Sequence, residues 1–318
     1  MRWLMSLLVL LLAAVTASAE TWPTRPIRVI IPAGAGSAVD VIPRVVFDQV
    51  SAQLGQAIIV DNRPGAGSTL GTAAVARAEP DGYTLLANSS AHAITPSVYA
   101  TLPYDAVRDF AAVIPLGIGP NVLIVNSSRG FKTIDDLVRA AKSRPGALNY
   151  ASVGVGSATH MSAERFRLSA GIDVLHIPFK GGPEALSEIL AGRIEFYFCP
   201  LGTALPLIRD GRLTALAVNT RKRAAALPEV PTSIEAGFPD SDYAFWIGLF
   251  APAKTPQSVI DRLYQETDKA LQTPALLERL AQLGFEPLHM NPAEFNTFVA
   301  NEIRGNAPLV KAAGIKPN

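Results

Sequence analysis

Short apolar runs rich in β-branched residues alternate with stretches of helical periodicity along almost the whole chain. IRVIIPA precedes a helical pattern over 40–54, AIIVD precedes one over 68–78, and YTLLANS leads on to AAVIPLGIG. The alternation resumes with NVLIVNSS and a helix over 133–142, LNYASV and 158–170, VLHIPF and 183–191, IEFYFCP and 203–210, then LTALAVN. Such runs read as strands, and strands that alternate with helices predict an α/β fold with mostly parallel sheets. After AFWIGLFAP the pattern changes to three helical segments, TPQSVIDRLYQETDKALQ, PALLERLAQLG and PAEFNTFVANEIRGNAPLVKAAG, with FEPLHM inserted as a short strand. Helices crowding the tail are expected to pack back onto the first part of the chain. Thr133 and Asp136 open IDDLVRAAK as T-x-x-D, a capping box that accounts for Asp135 and Asp136 without catalysis.

At 318 residues the chain exceeds the usual size of one core, so two domains are expected. No polar linker separates them, so the join is expected to be two strands crossing between lobes, near residues 119–125 and 243–250. The N-terminus MRWLMSLLVLLLAAVTASAE has one arginine, an apolar run from Leu4 to Val15 and small residues at Ala17 and Ala19. These features assign residues 1–19 to a secretory signal peptide, cleaved after Ala19 and with no nearby cysteine for a lipid anchor. The run is too short for a membrane span, which takes about 20 apolar residues. A formal charge of +1, neutral once Arg2 has left with the leader, gives no footprint for nucleic acid or an anionic membrane. The single cysteine, Cys199, has no internal disulfide partner and reads from the residues as a small buried hydrophobe.

Three strand-to-helix loops share one composition: PAGAGSAVD at 32–40, RPGAGSTLG at 63–71 and SVGVGSATH at 152–160. Small residues and hydroxyls at a helix start leave backbone N–H groups and the positive dipole end facing outward, a geometry that binds anions without lysine. Gly34 and Gly36 begin a dinucleotide fingerprint, but Val39 stands where the third glycine belongs. Ser157 and His160 share a helical turn, which suggests a hydrolase, yet no G-x-S-x-G surrounds the serine. The four histidines lie too far apart in sequence for a metal motif, and the basic triplet Arg221-Lys222-Arg223 reads as a solvated loop.

The segments WPTRPIRVIIP, VDNRPGAGSTLGTAAVARAEPDGYTLL, LPYDAVRDF, LNYASVGVGSATHMSAERF, HIPFKGGPEAL, LPEVPTSIEAGF and FWIGLFAPAKTP carry a resemblance. In that order they resemble the Bug family, the periplasmic substrate-binding components of tripartite tricarboxylate transporters. The resemblance implies a type II-like two-lobed periplasmic binding-protein fold with two crossover strands at the hinge. One lobe would comprise 20–122 and 246–318 and the other 123–245. It implies a monomer without cofactor or metal that closes on a small organic acid and serves membrane permease subunits. A ligand-presenting role for a sensor kinase remains the alternative.

Carried over by position, the ligand loops are Ala33, Gly34, Ala35, Gly36, Ser37, Ala38, Val39 and Asp40, and Ser152, Val153, Gly154, Gly156, Ser157, Thr159 and His160. Gly65, Ala66, Gly67 and Ser68, with Ser89 and His92, would form further walls, and Lys180 and Gly181 an additional contact. Ala33 replaces the family's aromatic residue, which would widen the pocket, and Ser37 replaces a glycine, which would add a donor. Cys199 stands where relatives often have aspartate, an exchange that would disfavour an ammonium group at the ligand's far end.

Overall fold

The computed structural model describes residues 22–243 and 245–315; the leader assigned to residues 1–19 lies outside them. The first part of the chain runs β1 (Ile27–Ile31), α1 (Ala38–Leu54), β2 (Ile58–Asn62), α2 (Thr69–Ala76), β3 (Thr84–Ser89), α3 (Ala91–Val98) and β4 (Phe110–Gly119). The middle runs β5 (Asn121–Asn126), α4 (Ile134–Ser143), β6 (Asn149–Ser152), α5 (Ala158–Ala170), β7 (Leu175–Pro178), α6 (Gly182–Leu190), β8 (Phe196–Pro200), α7 (Leu201–Arg209) and β9 (Leu213–Val218). The chain then returns through β10 (Phe245–Pro252), α8 (Gln257–Leu271), α9 (Pro274–Gln282) and α10 (Pro292–Ala312).

Two five-stranded sheets result, ordered β2-β1-β3-β10-β4 and β7-β6-β8-β5-β9. In each, three parallel strands lie beside one antiparallel strand, β10 in the first lobe and β5 in the second. The lobes are thus topological copies, and in each the direction of the crossovers changes between the second and third strands of the order. Loops at such a switch point open a crevice beyond the strand ends. Apolar clusters cover both faces of both sheets, which is why β1, β5 and β8 are almost unbroken hydrophobic runs.

The tail packs on the first lobe as its amphipathic patterns imply. Val259 and Leu263 of α8 and Leu280 of α9 join one face of the first core, and Phe295 and Val299 of α10 join the other. Thr133 and Asp136 form the reciprocal capping box at the start of α4.

Three features differ from the sequence reading. The segment after YTLLANS contains a helix, α3, that the polarity pattern does not announce because Ala91, His92, Ala93, Ile94 and Thr95 are all buried. FEPLHM forms only a single antiparallel bridge, Ile118 with Glu286, instead of a strand. The first crossing is shorter than expected, with only Pro120 between β4 and β5, whereas residues 219–243 ahead of β10 are irregular.

At the first crossing three glycines permit close backbone approach. A β-carbon on Gly119 would lie 2.8 Å from the Gly284 carbonyl, one on Gly284 would lie 3.0 Å from the Gly202 amide, and one on Gly202 would run into the Leu283 carbonyl. Gly202 opens α7 in the second lobe, whereas Leu283 and Gly284 follow α9 in the first. Because the obstacle at Gly202 is backbone, Gly202→Ala is expected to lower the unfolding free energy by about 1–3 kcal/mol, measured by urea denaturation. A neutral result would mean that the junction yields freely.

Candidate functional site

Two of the three glycine loops, one from each lobe, adopt matching conformations at their second glycine and serine. Gly34-Ala35-Gly36-Ser37-Ala38-Val39-Asp40 follows β1, and Gly154-Val155-Gly156-Ser157-Ala158-Thr159-His160 follows β6. The third residue of each is a glycine with positive φ, Gly36 at 78° and Gly156 at 74°. The serine of each loop is extended, with φ −73° and ψ 162° at Ser37 and φ −75° and ψ 159° at Ser157. Each hydroxyl donates to the carbonyl three residues back, Gly34 or Gly154, at 2.7 Å. In each loop the last side chain reaches back to the second glycine: Gly36 N–H donates to Asp40 Oδ2 at 2.9 Å and Gly156 N–H to His160 Nδ1 at 3.1 Å.

These internal bonds leave the first two amides of the following helix unpaired among the described residues, along with those of Gly34 and Ala35 in the first loop and Val155 in the second. Ala38 and Val39 at the start of α1, and Ala158 and Thr159 at the start of α5, have no N–H acceptor among the described residues. Helix-start amides carry the positive end of the dipole, so each lobe presents a small electropositive donor pair without a formal cation. Both loops border one apolar cluster, which contains Ile94 and Val98 of α3 and Ala158 and Met161 of α5, with Ala33, Ala38 and Val39 packed against it.

The side chains that shape the loops differ between lobes. Asp40 is buried and accepts from Gly36 N–H, Asn62 Nδ2 at 2.9 Å and Arg44 Nε at 2.8 Å. Burial alone would raise its pKa, but these bonds and the Arg44 charge together hold the carboxyl below its ordinary range. Asn62 also donates to Ala33 O at 3.0 Å, so β2 braces the loop. In the second lobe, His160 stacks on His176 with ring centroids 4.0 Å apart, and Tyr150 continues the stack at 4.9 Å from His176. His176 Nε2 lies 2.6 Å from Ser152 Oγ, and Tyr150 hydrogen-bonds Glu164, which pairs with Arg167. Since Gly156 donates to His160 Nδ1, the ring proton sits on Nε2 and the imidazole is neutral.

The second glycine loop is built differently from the other two. Gly65, Ala66, Gly67 and Ser68 all have positive φ, at 132°, 45°, 59° and 77°, forming a left-handed turn that is strained at Ala66 and Ser68. Gly67 packs on Tyr99, just beyond α3, and Gly156 packs on Val98 and Ile94 of the same helix, so α3 carries both loops. Ser89 is buried at the end of β3, where its hydroxyl accepts from Ala91 N–H at 3.3 Å.

Other sequence-derived candidates are corrected by their surroundings. The Ser37 hydroxyl is committed to Gly34 O, so it adds no donor to a pocket. His92 is fully buried, stacked on Phe250 at 4.6 Å with Nε2 2.8 Å from Ala106 O, and belongs to the first-lobe core. Cys199 is fully buried among Val122, Tyr197 and Val218, where burial pushes its thiol pKa up, so the residue-level reading is the one that stands. Lys180 is exposed, and its backbone N–H donates to Glu184 Oε2 at 3.1 Å beside Gly181, the residue that precedes α6. Ser157 Oγ meets the backbone N–H of His160 at 3.2 Å while the ring Nδ1 is taken by Gly156, which is not the geometry of a nucleophile and its base. Asn62 and His176 were missed because they act across neighbouring strands, and Tyr99 because it reaches Gly67 from the end of α3, proximities that linear spacing does not record.

The buried imidazoles make stability depend on pH. Burial holds His92 and His160 at about 4, and burial followed by the neighbouring His160 holds His176 at about 3, against 6.5 in the unfolded chain. Between those values the unfolded chain binds protons that the folded one does not. Their contribution is therefore complete above pH 6.5 and lost as pH falls toward 4. Urea unfolding is expected to give a free energy lower at pH 4.5 than at pH 7, by about 2–3 kcal/mol for His92 alone. A flat profile in wild type would refute the neutral assignment.

The amino-acid sequence matches the family model described as "Tripartite tricarboxylate transporter family receptor" over residues 42–315. Protein BugT of Bordetella pertussis is 35% identical over 305 residues, 95% of this chain and 94% of that protein. Among solved structures, the R. palustris protein Rpa4515 with adipate is 32% identical with a TM-score of 0.89, covering 93% of this chain and 100% of that one. MatC from Rhodopseudomonas palustris with bound malate is 29% identical with a TM-score of 0.85, covering 91% and 100%. No helix among the described residues is long and apolar enough to cross a membrane. The chain belongs to the tripartite tricarboxylate transporter receptor family, a family of two-lobed periplasmic solute-binding proteins.

Proposed function

We propose that this chain is a periplasmic receptor that closes its lobes on one small organic acid and delivers it to the membrane permease subunits of a tripartite tricarboxylate transporter. The lobes in this reading are residues 20–122 with 246–318, and 123–245. The observation that carries the proposal is the matched pair of loops, each presenting two unpaired amides at a helix start: Ala38 and Val39 from one lobe, Ala158 and Thr159 from the other. A charge-assisted hydrogen bond contributes about 1.5–3 kcal/mol. Four such donors are enough for micromolar affinity, about −8 kcal/mol, provided both lobes engage. Binding would then favour the closed arrangement through its differential affinity for it. The adipate and malate held by two structural neighbours, each with two carboxylates, support a carboxylate as the ligand class.

A single substitution tests the amides. Proline at the first helical position preserves a helix but has no N–H, and the extended Ser37 tolerates a following proline. Ala38→Pro is therefore expected to weaken carboxylate binding about 10- to 100-fold by calorimetry, with an unchanged melting temperature in the absence of ligand. Thermal-shift and scattering measurements across dicarboxylates and aromatic acids should find at least one that stabilises and compacts the wild type. If none does, or if Ala38→Pro binds like wild type, the reading fails.

A further inference from the structure

A fully buried polar cluster lies where the chain passes between the lobes. Asn121 is the first residue of β5 after Pro120, and Asn219 is the last before the irregular return to β10. Asn219 N–H donates to Asn121 O at 3.0 Å, Asn121 N–H donates to Asn219 Oδ1 at 2.8 Å, and Tyr243 N–H donates to Asn219 O at 2.8 Å. The first two bonds extend the β5–β9 pairing, and the third ties it to Tyr243 on the second crossing. Both asparagines also turn their amide Nδ2 groups to one acceptor, Ser162 Oγ on α5, at 2.9 Å from Asn121 and 2.7 Å from Asn219. Ser162 Oγ in turn donates to Ala158 O at 2.7 Å. All three side chains are wholly buried, and Asn121 Oδ1 has no partner.

We infer that Asn121, Asn219 and Ser162 are positioning residues that clamp the ligand-gripping end of α5 to both interlobe crossings, making lobe 2 and the hinge strands move as one body. The inference rests on the lobe-closure reading above and names the hinge of that motion. Ala158 is the pivotal residue, because its N–H is one of the unpaired donors and its C=O is held by the clamp. Force on the loop is therefore passed within one helical turn to Ser162 and from there to both crossings. With the clamp rigid, rotation on the first crossing is confined to Gly119-Pro120. Asn121 Oδ1 is the one side-chain acceptor of the clamp without a partner among the described residues, so the hold on the two asparagines depends on the shared Ser162 hydroxyl.

Ser162→Ala preserves shape but leaves two buried amide donors without an acceptor. Spin labels at Lys142→Cys and Lys254→Cys, both exposed and one on each lobe, report the interlobe distance by pulsed electron resonance without any ligand. Cys199 is buried and does not compete for label. The clamped protein is expected to give one narrow distribution. Ser162→Ala should broaden it or add a second population, with an about tenfold shift in the population ratio, and Ser162→Thr, which keeps the hydroxyl, should restore the narrow form. A fall in melting temperature with a distribution that stays narrow would make the cluster merely structural and overturn the inference. Should Ser162→Ala not fold, amide exchange of the wild type decides. The Asn121, Asn219 and Tyr243 amides are then expected to exchange at rates within about threefold of one another, as members of one cooperative unit do. Rates spread over more than tenfold would overturn it. Because none of these measurements uses a carboxylate, failure to find the ligand and failure of the clamp are separate results.

Discussion

Unpaired amides at the start of a helix are a cost wherever water is excluded, about 1–3 kcal/mol for each group left without a partner. Soluble proteins usually cover them with a capping side chain, as Thr133 does for α4 here. At the start of α1 the serine that could serve as cap turns away and donates to the carbonyl behind it. At the start of α5 the serine caps only the third amide, that of His160. The rest of each loop is held by its own hydrogen bonds, none of which covers these amides. Donor groups held in place before the ligand arrives avoid the ordering cost that a flexible loop would incur.

The lobes solve the same backbone problem with different charges. An aspartate in the capping position puts a negative charge close to where an anion would sit, and Coulomb repulsion at that range is substantial in a partly dry crevice. In the first lobe Arg44 and Asn62 offset it. In the second lobe a neutral histidine does the same geometric work without adding charge. Burial, followed by the Arg167 charge, keeps that imidazole uncharged, and the aromatic column from Tyr150 supplies part of that burial.

Periodicity made most of the architecture legible because most elements have one polar and one apolar side, or are short apolar runs between glycines. It failed at α3, which is buried all round and contains Pro96, so nothing in its polarity marks it as a helix. Composition brought the three glycine loops together but could not tell that Gly65 to Ser68 wind left-handed, since GAGS is compatible with several turns. His92 and Cys199 sit near strand ends, where chemistry is expected, and sequence position does not say which face of the sheet they occupy. Asp40 and His160 were correctly placed at the loops, and their task of holding glycine amides was legible only in three dimensions.

A hinge must be weak in one direction and stiff in the others. At the first crossing, backbone meets backbone through Gly119, Gly202 and Gly284, with Phe285 and Leu201 as the side chains beside them. One strand register away, Asn121, Asn219 and Ser162 join two crossings and a helix through bonds that all lie out of water. Directional bonds in a dry interior have few alternative arrangements, whereas glycine contacts have many. Placing the two side by side confines motion to a narrow line between the lobes. That line runs next to α5, so in the proposed closure gripping a carboxylate at its first amides and turning the hinge would be parts of a single mechanical step.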